Sequence, residues 1–257
     1  MKQNLVEMAL LFLAFYLPGM LFQGRGLRLA QESPGRFMLE AVLTAAAQLA
    51  LFLYLLWLRQ GVTVKSRSSE ARSTQRRSSP DGQPPPETRP LPLKHSPWAR
   101  FGLGRLRYTD LLQGALVFVG ASAILLAANF VLSLLPAESR ELLSEGFRFR
   151  LNDWRLIPLA LLFGALTGYR EELFFRGYLI TRLMELHFPA TAAAAASCLL
   201  FSLGHLYQGL VGFVTALILG ALFGALFIRR RNLHRLAIAH GLYNTMVLVA
   251  SLWVAWG

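Results

Sequence analysis

The chain has 257 residues, 54% of them hydrophobic and only 16% charged. That composition excludes an ordinary soluble domain, in which about a quarter of residues carry charge. The net charge of +12 would suggest nucleic acid on a soluble protein. Here the excess sits in one polar segment between apolar runs, where the preference of Lys and Arg for the inner side of a membrane accounts for it. No nucleic-acid partner is expected.

The long apolar runs predict an all-α fold, a polytopic membrane helix bundle of about seven (six to eight) transmembrane helices enclosing a polar cavity. The first run, 4–23, follows a short and barely basic MKQN and lacks an Ala-x-Ala site. It reads as a retained span rather than a cleaved signal. The second, 37–58, carries one polar residue, Gln48, and with the first forms an N-terminal pair of spans, 1–58. Residues 59–108 are rich in Ser, Pro and Arg without apolar periodicity, the composition of a disordered linker. Its last part, Trp98 to Arg107, mixes aromatics with arginines and is expected to lie on the anionic inner leaflet.

Residues 109–257 hold the remaining spans. The third, 109–135, contains Asn129, read with Gln48 as hydrogen-bonding glue between helices. The fourth, 156–186, exceeds the roughly 20 residues of a span and is expected to kink near Gly177 or leave the bilayer. The fifth and sixth, 189–207 and 210–228, are hardly separated and predict a tight helical hairpin. Ala192 to Ala196 on one and the Gly220-x-x-x-Gly224 pair on the other allow close approach. The seventh is 235–256. The single cysteine, Cys198, cannot form a disulfide within the chain and reads as a small buried side chain.

With the linker placed inside, 18 Lys and Arg fall inside and 7 outside: Arg25, Arg28, Arg36, Arg140, Arg148, Arg150 and Arg155. The bias puts the N-terminus in and the C-terminus out. The expected location is an integral membrane protein, suited to a bacterial plasma membrane.

Within the fourth span lies GYREELFFRGYL, residues 168–179. A charge at mid-bilayer costs about 2.5–3.5 kcal/mol on insertion scales, so these charges need a purpose. Glu172 and Arg176 are four apart, in the favourable order for an ion pair on one helix face. Glu171 points about 100° away, toward Gly164, Gly168, Phe175 and Tyr178, and has no evident partner on its own helix. Arg170, its neighbour, points about 100° off again. Glu171 is therefore the candidate general acid or base, and Glu172 with Arg176 the supporting pair.

Two histidines fall inside apolar spans: His205, four after Phe201, and His240, four before Asn244. His95, His187 and His234 fall in the linker, at a span end and in a basic loop. Intramembrane ionisable residues face one another or a cavity, and helix bundles build sites from such inward-facing side chains. Glu171 and His205 can hold a water and take its proton, while His240 and Asn244 donate to an oxyanion. Such donors are worth about 2.7–4 kcal/mol each in hydrolases. The alternative places a zinc ion at Glu171, His205 and His240, since two His and one Glu form a known catalytic zinc set. No HExxH supports it, and composition leaves both versions open. A proton-coupled transporter ranks last, because no broken-helix inverted repeat is seen.

Glu171-Glu172-x-x-x-Arg176, Phe201-x-x-x-His205 and His240-x-x-x-Asn244, in that order on separate apolar segments, resemble the three signature motifs of the CPBP family. That family comprises type II CAAX prenyl endopeptidases and bacteriocin-processing, or Abi, membrane proteases. The resemblance covers about residues 156–250, within a protease core of 109–257. It implies an intramembrane endopeptidase in which Glu171 and His205 activate water, His240 and Asn244 stabilise the oxyanion, and Glu172 and Arg176 support the site. Members have been labelled metalloproteases, but the metal-free version fits the residues at least as well, so no cofactor is expected. The implied partner is a membrane-associated peptide or protein substrate, membrane-anchored peptides or leaders being favoured over prenylated CAAX proteins. The family bundle typically has eight spans, whereas here the chain ends within the helix that carries Asn244. A non-catalytic immunity or scaffold protein on the same fold is the alternative class.

Overall fold

The computed structural model describes residues 2–16, 29, 32–77, 97–144 and 150–254, and among them there is no strand. The helices are α1 (Lys2–Phe15), α2 (Pro34–Arg77), α3 (Tyr108–Ser133), α4 (Ala137–Ser144), α5 (Ile157–Glu172), α6 (Thr181–Glu185), α7 (Ala190–Leu203), α8 (Gly209–Arg230) and α9 (Leu233–Val254). A π-helix, Leu173–Ile180, joins α5 to α6. Residues 17–23 of the first expected span, Arg25, Arg28, Arg148, and the proline run and His95 of the linker lie outside the described residues.

Helices occupy all seven predicted places. Among the described residues, four stretches are long and apolar enough to cross a membrane: Pro34–Leu58, Tyr108–Ser133, Leu206–Arg230 and Leu233–Trp253. On that basis the chain is an integral membrane protein. The α5–α6 rod fails the same test because of its charges, and α7 because it is short.

The structure departs from the expected linker at both ends. Helix α2 does not stop with its apolar run but continues to Arg77. No proline interrupts 59–77, so nothing there breaks the ladder. At the far end Pro97–Phe101 is a 3₁₀ turn that docks on the bundle. Phe101 is fully buried, and the Gly102 carbonyl accepts from the Leu233 amide at 3.0 Å. Gly102 has φ 79°, and a Cβ there would meet the Phe227 ring and the Arg231 carbonyl.

The α5–π–α6 rod is the centre of the bundle. Helices α9 and α2 pack along α5, α7 packs on the π-helix, and α3 packs on the outer side of α9. Three glycines bring α5 and α9 into backbone contact. A Cβ at Gly164 would collide with Thr245 Oγ1, one at Gly168 would lie 2.6 Å from the Ala237 carbonyl, and one at Gly241 would lie 3.0 Å from the Gly164 carbonyl. Such small-residue seams are how helices approach closely in lipid.

Helices α7 and α8 form the expected hairpin. A Cβ at Gly220 would lie 2.8 Å from Cys198 Sγ, and one at Gly224 lies 3.5 Å from the Ala194 Cβ. Gln48 does bridge helices, accepting from Arg170 Nη1 at 2.8 Å. Asn129 does not: its amide donates to the Leu125 carbonyl of its own helix, so the expectation of glue fails there. At the other end of the bundle Asp110 accepts from the Arg107 amide, Asn232 Nδ2 and Arg235 Nε at 2.8–3.0 Å. This ties the start of α3 to the start of α9. His234 lies in the first turn of α9 rather than in a loop. Its Nε2 donates to the Gly104 carbonyl, which can only accept, and in the neutral ring Nδ1 then accepts from the Tyr169 hydroxyl.

Candidate active site

The charged stretch of the fourth span falls where the α-helix gives way to the π-helix. Every residue from Leu173 to Ile180 is buried, and Ser197 on α7 donates to the Phe175 carbonyl at 2.7 Å. A π-turn widens the helix and changes which residues share a face, and such turns are frequent at functional sites. The expected irregularity around Gly177 is this π-helix; Gly177 itself packs against the Phe101 carbonyl.

Glu172 is fully buried and Arg176 is 1% exposed. Arg176 Nη1 donates to Glu172 Oε1 at 2.8 Å, as the spacing predicts. The same oxygen takes His240 Nδ1 at 2.8 Å, so α5 and α9 are joined by a charge-assisted contact beside their glycine seam. A carboxylate oxygen accepts here, and Nδ1 therefore carries the proton. The opposite nitrogen, Nε2, faces Glu171 Oε2 at 3.6 Å, beyond hydrogen-bond range. One imidazole thus lies between both glutamates.

Glu171 differs from its expected isolation. Arg170 Nη2 donates to Glu171 Oε1 at 2.6 Å. Sequence neighbours diverge by about 100° on a helix, but a guanidinium on a long stem reaches around, and Gln48 of α2 holds the other arm of the fork. The Tyr16 ring lies over the same guanidinium at 5.7 Å.

His205 also differs in placement. It lies just beyond α7, at the junction with the 3₁₀ turn Leu206–Gln208, rather than inside a span. Its Nδ1 donates to the Phe201 carbonyl at 2.8 Å, which leaves Nε2 as an acceptor in the neutral ring. The Phe201 ring is the hub of the site. It lies 4.6 Å from the His205 ring, 5.8 Å from the His240 ring and 4.4 Å from the Arg176 guanidinium. Asn244 sits one turn beyond His240, half-buried, with no side-chain hydrogen bond among the described residues. Five of the six predicted residues (Glu171, Glu172, Arg176, His205 and His240) are linked by direct contacts or through Phe201. Asn244 is placed beside them by its helix alone.

Glu171 Oε2, Glu172 Oε2 and the Nε2 atoms of His205 and His240 make no hydrogen bond among the described residues. No group of three His, Cys, Asp or Glu side chains among the described residues is arranged to hold a metal ion.

Residues 153–246 match the family described as Type II CAAX prenyl endopeptidase Rce1-like. That segment is similar to the Rce1-like family. The resemblance read from the three motifs therefore holds, and all six motif residues lie inside the matched segment. The Rce1-like description is that of a membrane endopeptidase, and it covers α5 to most of α9. Tyr16 and Gln48, which reach the site from α1 and α2, lie outside it. No curated protein and no solved structure matches the chain.

Sequence reasoning missed Arg170, Phe201 as a hub, and Tyr16. An arginine adjacent to an unpartnered buried glutamate was the available signal for the first. Nothing local marks the other two.

Proposed function

We propose that the chain is an intramembrane endopeptidase in which Glu171 and His205 activate a water for attack on a peptide carbonyl. His240 and Asn244 hold the resulting oxyanion, and Glu172 with Arg176 fixes His240. The observation that carries this reading is the convergence, inside an Rce1-like segment, of two carboxylates and an imidazole held at 2.8 Å and 3.6 Å.

The tautomers support the division of roles. His205 presents an acceptor nitrogen, as a base requires. His240 has its Nδ1 proton committed to Glu172, so it donates to an oxyanion through Nε2 only when doubly protonated. Glu171 and Glu172 flank the ring with the charge that such an imidazolium needs. The proton that Glu171 and His205 take from the attacking water is the one His240 carries while the oxyanion exists, and it goes to the leaving amine when the oxyanion collapses and the C–N bond breaks. Asn244 donates without changing charge. Each such donor is worth about 2.7–4 kcal/mol in other hydrolases.

The metal-free version is preferred because the six motif residues supply a base and oxyanion donors by themselves and no HExxH motif supports a zinc site. A zinc ion at Glu171, His205 and His240 needs all three donors within about 2.0–2.2 Å of it. The substrate class is a membrane-anchored peptide or protein cut near the membrane.

The test compares membranes from cells making wild type, Glu171→Gln or Glu171→Ala. New peptide termini near membrane anchors are read by mass spectrometry, with and without a chelator. Termini present with wild type and absent from both variants are expected, unchanged by the chelator. Full activity in Glu171→Gln refutes the role of Glu171. Loss of termini under chelator refutes the metal-free version. Absence of any wild-type termini under good expression favours the scaffold class.

A further inference from the structure

The N-terminal helix pair, outside the Rce1-like segment, reaches the site through one arginine. We infer that Gln48 and Tyr16 are positioning residues for catalysis, acting through Arg170 to fix the carboxylate of Glu171. This rests on the protease reading above.

Four observations carry it. Arg170 gives one guanidinium arm to Glu171 Oε1 at 2.6 Å and the other to Gln48 Oε1 at 2.8 Å. The two contacts use separate nitrogens, so the planar fork is fixed at both tips. Tyr16 closes the open face of that fork, its ring centroid 5.7 Å from the guanidinium carbon. The Tyr16 ring is itself held by Phe174 and Phe175 of the π-helix, each at 4.9 Å.

The consequence for Glu171 is directional. With Oε1 engaged by Arg170, the carboxylate turns Oε2 toward His240 Nε2. Without the fork, the carboxylate can rotate about its terminal torsion, which is broad for glutamate, and Oε2 loses its aim. Helices α1 and α2 are then part of the catalytic device, not only a membrane anchor for it.

Arg170 also explains why two glutamates side by side are tolerated. Each has its own arginine: Glu171 the Arg170 of its own turn, Glu172 the Arg176 one turn on. The difference is that Arg176 is gripped within the matched segment, whereas Arg170 is gripped by α1 and α2.

The test uses the full chain in detergent micelles. A quenched fluorescent peptide spanning a cut found with wild-type membranes serves as probe. Gln48→Leu, Gln48→Glu, Arg170→Met, the double variant Gln48→Leu/Arg170→Met, Tyr16→Ala and Glu171→Gln are compared, with thermal unfolding measured for each. Gln48→Leu is expected to lower kcat roughly tenfold to a hundredfold with KM little changed, the scale of a reacting group misplaced by about 1 Å. Gln48→Glu keeps an acceptor for Arg170 and is expected to restore most of that loss. Tyr16→Ala removes the ring over the guanidinium and is expected to lower kcat in the same range as Gln48→Leu, with KM little changed; wild-type kcat in folded Tyr16→Ala overturns the part given to Tyr16. The double variant is expected to be no slower than Arg170→Met alone, because Gln48 acts through Arg170.

Wild-type kcat in folded Gln48→Leu, or additive losses in the double variant, overturns the inference. A loss explained wholly by a lower folded fraction, with unchanged kcat per folded molecule, also overturns it. An active Glu171→Gln instead refutes the protease mechanism, so the two failures are told apart within one panel.

Discussion

Replacing Gly168 with alanine tests whether the α5–α9 seam sets the site geometry. The new Cβ would lie 2.6 Å from the Ala237 carbonyl and 2.8 Å from the Gly241 amide, against ordinary contact from 3.4 Å upward. Both opposing atoms are backbone, so no rotamer change relieves them. The helices must part by about 0.8 Å, the difference between 3.4 and 2.6 Å. Overpacking of this kind costs about 1–3 kcal/mol. The better helix propensity of alanine returns at most about 1 kcal/mol. With that return in full, a net loss of up to about 2 kcal/mol is expected. The same shift carries the 2.8 Å contact between Glu172 and His240 beyond hydrogen-bond range. Cleavage per folded molecule should therefore fall roughly tenfold to a hundredfold. Thermal unfolding in detergent and the peptide cleavage rate read the two effects separately. Gly120→Ala, where nothing lies within 4 Å of the added carbon, is the control and should be neutral or slightly stabilising. Wild-type stability and rate in Gly168→Ala would refute the argument that the glycine seam positions His240.

Two other substitutions probe buried charge. Arg176→Met leaves Glu172 in the core without its cation, and breaking such a pair from one side costs about 3–5 kcal/mol. Adding Glu172→Gln should recover part of that loss in the yield of folded protein. Asp110→Ala removes two hydrogen bonds from α3 to the start of α9 and one to the Arg107 amide of its own N-cap, and should lower stability by about 3–6 kcal/mol, since the two bonds to α9 are worth about 1.5–3 each. Cleavage per folded molecule should stay near wild type there, because Asp110 contacts none of the six motif residues. A selective loss of activity would contradict that separation.

Much of this was legible in the sequence because apolar run length and residue spacing are local quantities. The hairpin of α7 and α8, the Glu172–Arg176 pair and the order of the three motifs all follow from them. What was hidden depends on reach and on register. The Arg170–Glu171 contact escaped an argument based on Cβ directions, since a long guanidinium is not bound by them. The Gln48 contact is separated from its arginine by 122 positions, and nothing in either segment announces the other. His205 reads as part of an apolar run, yet Gly204 caps α7 just before it. Helix α2 outlasts its apolar run, because hydropathy marks what a membrane accepts, not where a helix ends.

The π-helix puts chain length itself under constraint. A π-turn is in effect an α-helix carrying one residue too many, and here that surplus is surrounded on all sides. Removing one residue between Leu173 and Ile180 would let the ladder close as an ordinary α-helix. The flanking α5 and α6 would keep their faces, because the wide turn is what absorbs the extra residue, but the residues inside it, Arg176 among them, would be re-spaced relative to Glu171 and Glu172. Such a deletion would thus alter the site without substituting any motif residue. In this part of the molecule the count of residues is as informative as their identity.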